Sequence, residues 1–261
     1  MRVLSLLLAC SLGLGCSENK TPFGPDSGIA PERTSCIPNL DGVLTRAEIP
    51  TLLSTEVSYL VSGATSVELG GGDIDFRAEY PGETKQGMTA EPIRSQWFAN
   101  EFPADGIVVQ LTGAGESFAI LRSTESAILL LGIVSELENH TLLQYESPID
   151  LYRFPLREGD AWQQESAVVG TLASVPYNGS DRYSVEVGGL VSVALPHLRF
   201  TSARRIQTSI TSDSGAAGVV VVRQQLSLLS ECFGEIARAV SQDNETESNF
   251  TTAAELWRFS L

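Results

Sequence analysis

The chain has 261 residues, of which 43% are hydrophobic and only 19% charged, so it can bury a sizeable core and is not a disordered protein. Acidic side chains number 32 against 17 basic ones, and the formal charge of -15 makes a surface that repels phosphate backbones and argues against nucleic-acid binding. Two histidines and four cysteines leave little material for a histidine-based catalytic site or a zinc cluster.

Met1-Arg2 opens the chain with a positive charge, and the apolar run 3–14 that follows is broken only by Ser5, Ser11 and Gly13. This is the pattern of a secretory signal peptide over residues 1–15. The run is too short to cross a bilayer, which takes about 20 apolar residues. It ends Leu12-Gly13-Leu14-Gly15-Cys16-Ser17. A small residue directly before a cysteine resembles the lipobox of bacterial lipoproteins, although Gly13 stands where that family usually has leucine. The resemblance implies a lipid on Cys16 and, with Ser17 next to it, delivery to the outer membrane. Ordinary signal cleavage or an uncleaved anchor is the alternative. Residues 16–35 carry Pro22, Gly24, Pro25, Gly28 and Pro31 and read as a flexible tether. The expected protein is therefore anchored in the cell envelope, bound to a membrane through its N-terminal lipid.

Cys10 leaves with the signal and Cys16 takes the lipid, so Cys36 and Cys232 remain as an even pair in an oxidising compartment. A disulfide between them is predicted, with two buried free thiols as the alternative. Residues 36–48 resemble the second half of an EF-hand loop. With Gly42 at the sixth loop position, Asn39 and Asp41 fall at ligand positions three and five, the Val43 carbonyl at seven, Thr45 at nine and Glu48 at twelve. The first position is Ile37, which has no oxygen ligand, and Pro31, Pro38 and Pro50 stand where the flanking helices belong. Two readings of segment 36–56 stay open: a weak calcium site, or an Asn/Asp-Gly turn followed by one capped helical turn. No other cofactor is expected.

From residue 57 the pattern has period two, which predicts strands. Tyr183, Val185 and Val187 alternate with polar residues, as do Phe200 through Ile210. The stretch 219–229 is rich in β-branched residues, 233–241 alternates again, and 250–259 closes the chain. Turn signals fall at Gly113-Ala114-Gly115, Glu158-Gly159-Asp160, Asn178-Gly179-Ser180-Asp181 and Asp213-Ser214-Gly215. Gly188-Gly189 inside a strand pattern predicts a bulge or sharp bend. Residues 57–261 thus form an all-β domain, an antiparallel meander of about a dozen strands making a large curved sheet, partial barrel or sandwich.

The run Phe154-Pro155-Leu156 followed by Gly159-Asp160-Ala161-Trp162 resembles a turn of secreted β-proteins of Gram-negative bacteria, some of which are thought to share the half-barrel of periplasmic lipoprotein carriers. The opening Cys36-Ile37-Pro38-Asn39-Leu40-Asp41-Gly42, the strand around Glu231-Cys232-Phe233-Gly234 and Ala253-Ala254-Glu255-Leu256 resemble uncharacterised myxobacterial lipoproteins. These likenesses imply a fold and an address, not an activity.

Other chemistry is thin. Gly115-Glu116-Ser117-Phe118-Ala119 is one residue away from a nucleophile elbow, but strand rather than helix is predicted after Ser117. His140 and His197 sit at turn or strand-end positions and read as surface residues. Asp73 and Asp75 follow a glycine run and read as a solvated loop. Trp97, Phe98 and Phe102 read as a core strand end, with an exposed contact surface as the alternative. No catalytic set assembles. Three functions follow in order: a non-catalytic envelope lipoprotein with a binding or structural role, a carrier of lipid or another apolar ligand in a curved sheet, and, most remotely, a hydrolase.

Overall fold

A computed structural model describes residues 36–50, 53, 56–113, 116–137, 139–215 and 218–261. The signal peptide, Cys16 and the tether lie outside the described residues. Cys36–Leu261 folds as one unit. Its regular structure is mainly β, and the described residues include the 3-10 turns Arg46–Glu48, Ile93–Ser95 and Ala99–Glu101.

Alternation of inward and outward side chains builds strands of 2 to 20 residues. These are β1 (Glu56–Ser62), β2 (Thr65–Ser66), β3 (Asp73–Asp75), β4 (Thr84–Thr89), β5 (Glu91–Pro92), β6 (Ile107–Gln110) and β7 (Ser117–Ser123). They continue as β8 (Ala127–Ser135), β9 (Thr141–Arg153), β10 (Ala161–Leu172), β11 (Val175–Ala194), β12 (Arg199–Asp213), β13 (Val220–Ser230), β14 (Gly234–Ser241) and β15 (Thr252–Ser260). From β6 to β15 each strand pairs antiparallel with its predecessor, and β1 then joins β15 on one side and β4 on the other. The spatial order is β4-β1-β15-β14-β13-β12-β11-β10-β9-β8-β7-β6-β5.

The two ends of that order are the same piece of chain. Only Ala90 separates β4 from β5, so residues 84–92 pair with β1 first and with β6 afterwards. The sheet is thereby curled nearly closed into a barrel, which leaves few unpaired edge groups. Between β4 and β6 the seam is spanned by side chains, with Gln110 Nε2 donating to Gln86 Oε1 at 3.2 Å.

Two outer layers cover the sheet. Val67, Leu69, Ile74 and Phe76 lie buried against Leu226, Leu228, Ala237, Ala239 and Leu256. Ile93, Phe98 and Phe102 cover Val108, Ile120 and Val134 of β6 to β8. Phe98 and Phe102 therefore are core, as expected, but they flank the 3-10 turn Ala99–Glu101 rather than sit at a strand end, while Trp97 beside them is 50% exposed. Arg258, without accessible surface, binds this outer segment through the carbonyls of Phe76 and Ala78, the Glu83 carboxylate and the face of Tyr80.

One turn moves relative to the sequence reading. Asn178-Gly179-Ser180-Asp181 runs inside β11, and the β10–β11 hairpin turns instead at Ala173 and Ser174, both at positive φ (48° and 65°). Gly179 serves close approach rather than turning: a Cβ there would stand 2.3 Å from the Asp213 carbonyl oxygen and 2.7 Å from the Tyr177 hydroxyl. The bulge at Gly188-Gly189 is present as a register shift between Val187 and Leu190.

Candidate functional site

Strand register decides which side chains face the interior. Val61 opposite Trp257, Trp257 opposite Arg238, Arg238 opposite Ser227 and Ser227 opposite Ile206 share one face of β1, β15, β14, β13 and β12. Val109, Ala119, Ile133 and Leu143 share one face of β6 to β9 in the same way. The two faces look at each other. The Tyr152 hydroxyl of β9 lies beside Ser227 of β13, and Arg238 Nη2 of β14 donates to the Leu111 carbonyl beyond β6 at 3.3 Å.

One end of this interior is filled. Leu44 and Ile49, from the segment before β1, pack with Leu156, Trp162, Val187, Ile206 and Leu229. The segment is held by several grips. Cys36 is joined to Cys232, with Cα atoms 5.4 Å apart, so the predicted pairing is the one in the structure. Glu231 Oε2 accepts from the Asn39 and Leu40 amides at 2.7 and 3.1 Å. The buried Arg204 donates to the Gly42 carbonyl, and Leu44 forms a backbone bridge with Leu156.

The calcium-loop residues lie within this plug. Asn39 Nδ2 donates to Glu48 Oε1 at 2.8 Å, Asp41 Oδ1 accepts from the Val43 amide at 2.8 Å, and Thr45 donates to Glu48 Oε2 through both its amide and its hydroxyl. Glu48 and Thr45 form a capping box on the following 3-10 turn. Asn39, Asp41, Thr45 and Glu48 thus share a loop whose oxygen atoms bond to the loop itself. Among the described residues no three His, Cys, Asp or Glu side chains gather as a metal-binding group.

Further along the interior the packing changes. Leu111, Leu121, Ile133, Leu143 and Ile210 face inward yet remain half-buried, whereas Ile206 and Leu229 near the plug have 0% and 1% exposure. A filled core leaves no accessible surface on inward-facing leucine and isoleucine. These side chains pack against the buried Ala119, Leu130, Tyr145, Ile149, Val168 and Tyr183 and keep surface that solvent reaches.

The inward face has two unlike sides. The wall from β6 to β9, with Ile210 of β12, is apolar. The wall on β13, β14, β15 and β1 carries Gln225, Ser227, Arg238, Glu255, Trp257 and Tyr59. The Arg238 guanidinium lies 4.7 Å over the Trp257 ring and 3.6 Å from the Glu235 carboxylate. Its Nε is buried and has no hydrogen-bond partner among the described residues. Glu255 accepts from the Gly113 amide at 2.8 Å and from the Trp257 indole. The Tyr59 hydroxyl donates to the Glu235 carbonyl at 2.8 Å. Burial, reinforced by the Glu235 charge, pushes the Tyr59 and Tyr152 hydroxyls well above the ordinary tyrosine range. Tyr145 donates to Asp181 at 2.6 Å and lies 3.3 Å from Tyr183, and burial raises both of these phenols as well.

The remaining sequence candidates stay apart from this interior. Ser117 begins β7, so strand follows it as expected. His140 and His197 are exposed, the first tilted against the Trp97 ring with centroids 4.7 Å apart. Asp75 is an exposed ion-pair partner of Arg77, whose hydrogen bonds hold its carboxyl down at about 2, and Asp73 is 3.9 Å from Arg199. The polar wall itself escaped sequence reading. Its one signal is polar or charged residues on the enclosed face of otherwise apolar strands, as at Ser227 and Arg238.

Comparison with protein-family models, with curated proteins and with solved structures gives no match to this chain.

Proposed function

We propose that this is a non-catalytic binding lipoprotein of the bacterial cell envelope, and that its barrel holds a small amphiphilic ligand. The ligand's apolar body lies against Leu121, Ile133, Leu143 and Ile210, and its polar end faces Tyr59, Tyr152, Ser227 and Arg238. The observation that carries this reading is the accessible surface left on inward-facing apolar side chains. Burying such surface against a ligand contributes about 25 cal/mol per Å². The signal-like residues 1–15, the lipidation candidate Cys16 and a disulfide suited to an oxidising compartment support the address. The membrane is reached through the lipid, nucleic acid is not a partner, and the loop 36–48 acts as the barrel's plug whether or not calcium visits it.

The test is a fluorescence titration of the lipid-free Cys16→Ser chain with N-phenyl-1-naphthylamine, an uncharged apolar dye. Saturable one-to-one binding with a Kd of roughly 1–10 μM is expected. Leu143→Arg, which sets a charge in the apolar wall, should weaken it about tenfold or more. Dye uptake that never saturates, or that ignores Leu143→Arg, sinks the reading.

A further inference from the structure

We propose that the plug end of the barrel docks on the bilayer holding the Cys16 lipid, through an apolar patch of Ile37, Leu40, Leu190 and Phe233. The proposal rests on the lipid-anchored reading of Cys16 and is independent of what the barrel holds.

The four side chains gather around the disulfide. Ile37 follows Cys36 and Phe233 follows Cys232, so the bond between the cysteines brings them to one place. Leu40 joins them because its amide and that of Asn39 donate to Glu231, the residue before Cys232. Leu190 adjoins at Gly42, where a Cβ would stand 3.7 Å from Leu190 Cδ1. Ile37 is 78% exposed, Leu40 63%, Leu190 43% and Phe233 41%. Phe233 is braced edge-on by Phe200 and Phe259, with ring centroids 5.1 and 5.9 Å away. Single exposed apolar side chains are ordinary, but four together around one covalent bond mark a contact surface.

Leu40 carries a second signal. Its φ is 54°, in the left-handed region that suits asparagine, aspartate and glycine and strains leucine. The core gives nothing back for that strain, since the side chain stays exposed. A strained apolar residue held outside the core points to a partner outside the domain.

The place of the patch names that partner. The 20 residues 16–35 lead from the lipid to Cys36, beside the patch. Whatever path they take, they span at most about 70 Å. An anchored lipid therefore holds the plug end near the bilayer at a high effective concentration, at which even a weak apolar contact is occupied. The opposite end lies farther off: β10 runs about 33 Å from Trp162 at the plug to Leu172 at its far turn. The attraction is apolar rather than electrostatic. Asp41, exposed beside Leu40, and the formal charge of -15 both oppose an anionic surface, so the fitting face is zwitterionic.

The experiment couples the chain 16–261, with its disulfide intact, through the Cys16 thiol to a maleimide lipid in phosphatidylcholine vesicles. Against the unsubstituted chain, Ile37→Trp should add blue-shifted fluorescence that lipid brominated in the upper acyl chain quenches, at a depth of about 5–10 Å. Val175→Trp, at the exposed far turn, should add fluorescence that the same lipid leaves unquenched. Leu40→Asn, added to Ile37→Trp, should lower the docked-to-free ratio about tenfold, the worth of one buried leucine. Its urea midpoint should stay level or rise, because asparagine suits that backbone, so lost docking is not lost folding. Replacing half the lipid with phosphatidylglycerol should weaken docking. Unquenched Ile37→Trp, equal quenching at Ile37→Trp and Val175→Trp, or docking that ignores Leu40→Asn overturns the proposal. A Cys16→Ser chain that sediments as a dimer, and as a monomer with Leu40→Asn, assigns the patch to a second copy and overturns it too. The anchor is tested separately, by the mass of the Cys16 peptide from the full chain secreted by a Gram-negative host. A bare Cys16 there removes the anchored reading and the docking with it, whereas failure on the coupled vesicles removes the docking alone.

Discussion

Four tyrosines, Tyr59, Tyr145, Tyr152 and Tyr183, put their hydroxyls among protein atoms, and burial raises each above the usual phenol value of about 10. The sign follows from linkage. In the folded chain these phenols stay neutral at a pH where the unfolded chain ionises them, so their contribution is fully present below about pH 10 and is lost as the pH climbs toward their raised folded values. Stability should be flat from neutral pH to about 9.5 and then fall by as much as roughly 1.4 kcal/mol per pH unit for each buried phenol. Urea midpoints measured across that range, with phenolate absorbance followed in the same samples, check it. Phenolate appearing well before unfolding would show that the hydroxyls titrate in the native fold. Tyr59→Phe should soften the alkaline slope while sparing Arg238, whose contacts are to Trp257, Glu235 and Leu111.

At the scale of elements, the plug is the part of the molecule most dependent on a covalent bond. Residues 36–50 hold no named strand and reach the barrel through Leu44, Ile49, the grips of Arg204 and Glu231, and the disulfide. Cys36 and Cys232 are 196 residues apart, and on the chain-entropy model closing so long a loop stabilises by about 5 kcal/mol. Replacing both cysteines with serine should lower the unfolding free energy by several kcal/mol in a denaturant titration. A change below about 1 kcal/mol would mean that the noncovalent grips hold the plug alone. The disulfide was legible because the other cysteines had sequence-assigned fates. The strands were legible because period-two patterning survives wherever one face is enclosed, as in β12 and β13. The hairpin at Ala173-Ser174 was not: Asn178-Gly179 is a strong local turn signal, but the close approach of the Asp213 carbonyl uses that glycine inside a strand. The two-walled interior was hidden for a different reason. Tyr152, Ser227 and Tyr59 meet only once β9, β13 and β1 are curled toward each other, and no local pattern encodes that approach.

For the whole molecule, closure depends on one short segment. Residues 84–92 hold β1 along six paired positions but β6 along only two, Glu91 with Val108 and Pro92 with Ile107. Proline contributes no donor to that junction. The seam is therefore the weakest ladder around the barrel. Native-state hydrogen exchange should find amides of β5 and β6 exchanging by local opening while β11, β12 and β13 exchange only with global unfolding. Equal protection around the whole barrel would show that the side-chain contacts at Gln86 and Gln110 close it as firmly as a ladder does.

The bond between Cys36 and Cys232 also sets how the domain carries load. It turns residues 37–231 into a covalent ring that includes the plug, the seam and the sheet as far as the β13–β14 turn. Tension applied between Cys36 and Leu261 bypasses that ring. The oxidised chain can lengthen only along the segment after Cys232, by about 100 Å at full extension. Both walls of the interior draw on β14 and β15 or on strands inside the ring, so a pull strong enough to strip the last two strands removes Arg238, Glu255 and Trp257 and leaves the apolar wall in place. Mechanical stretching would thus dismantle the polar side of the interior before it reached the domain's core.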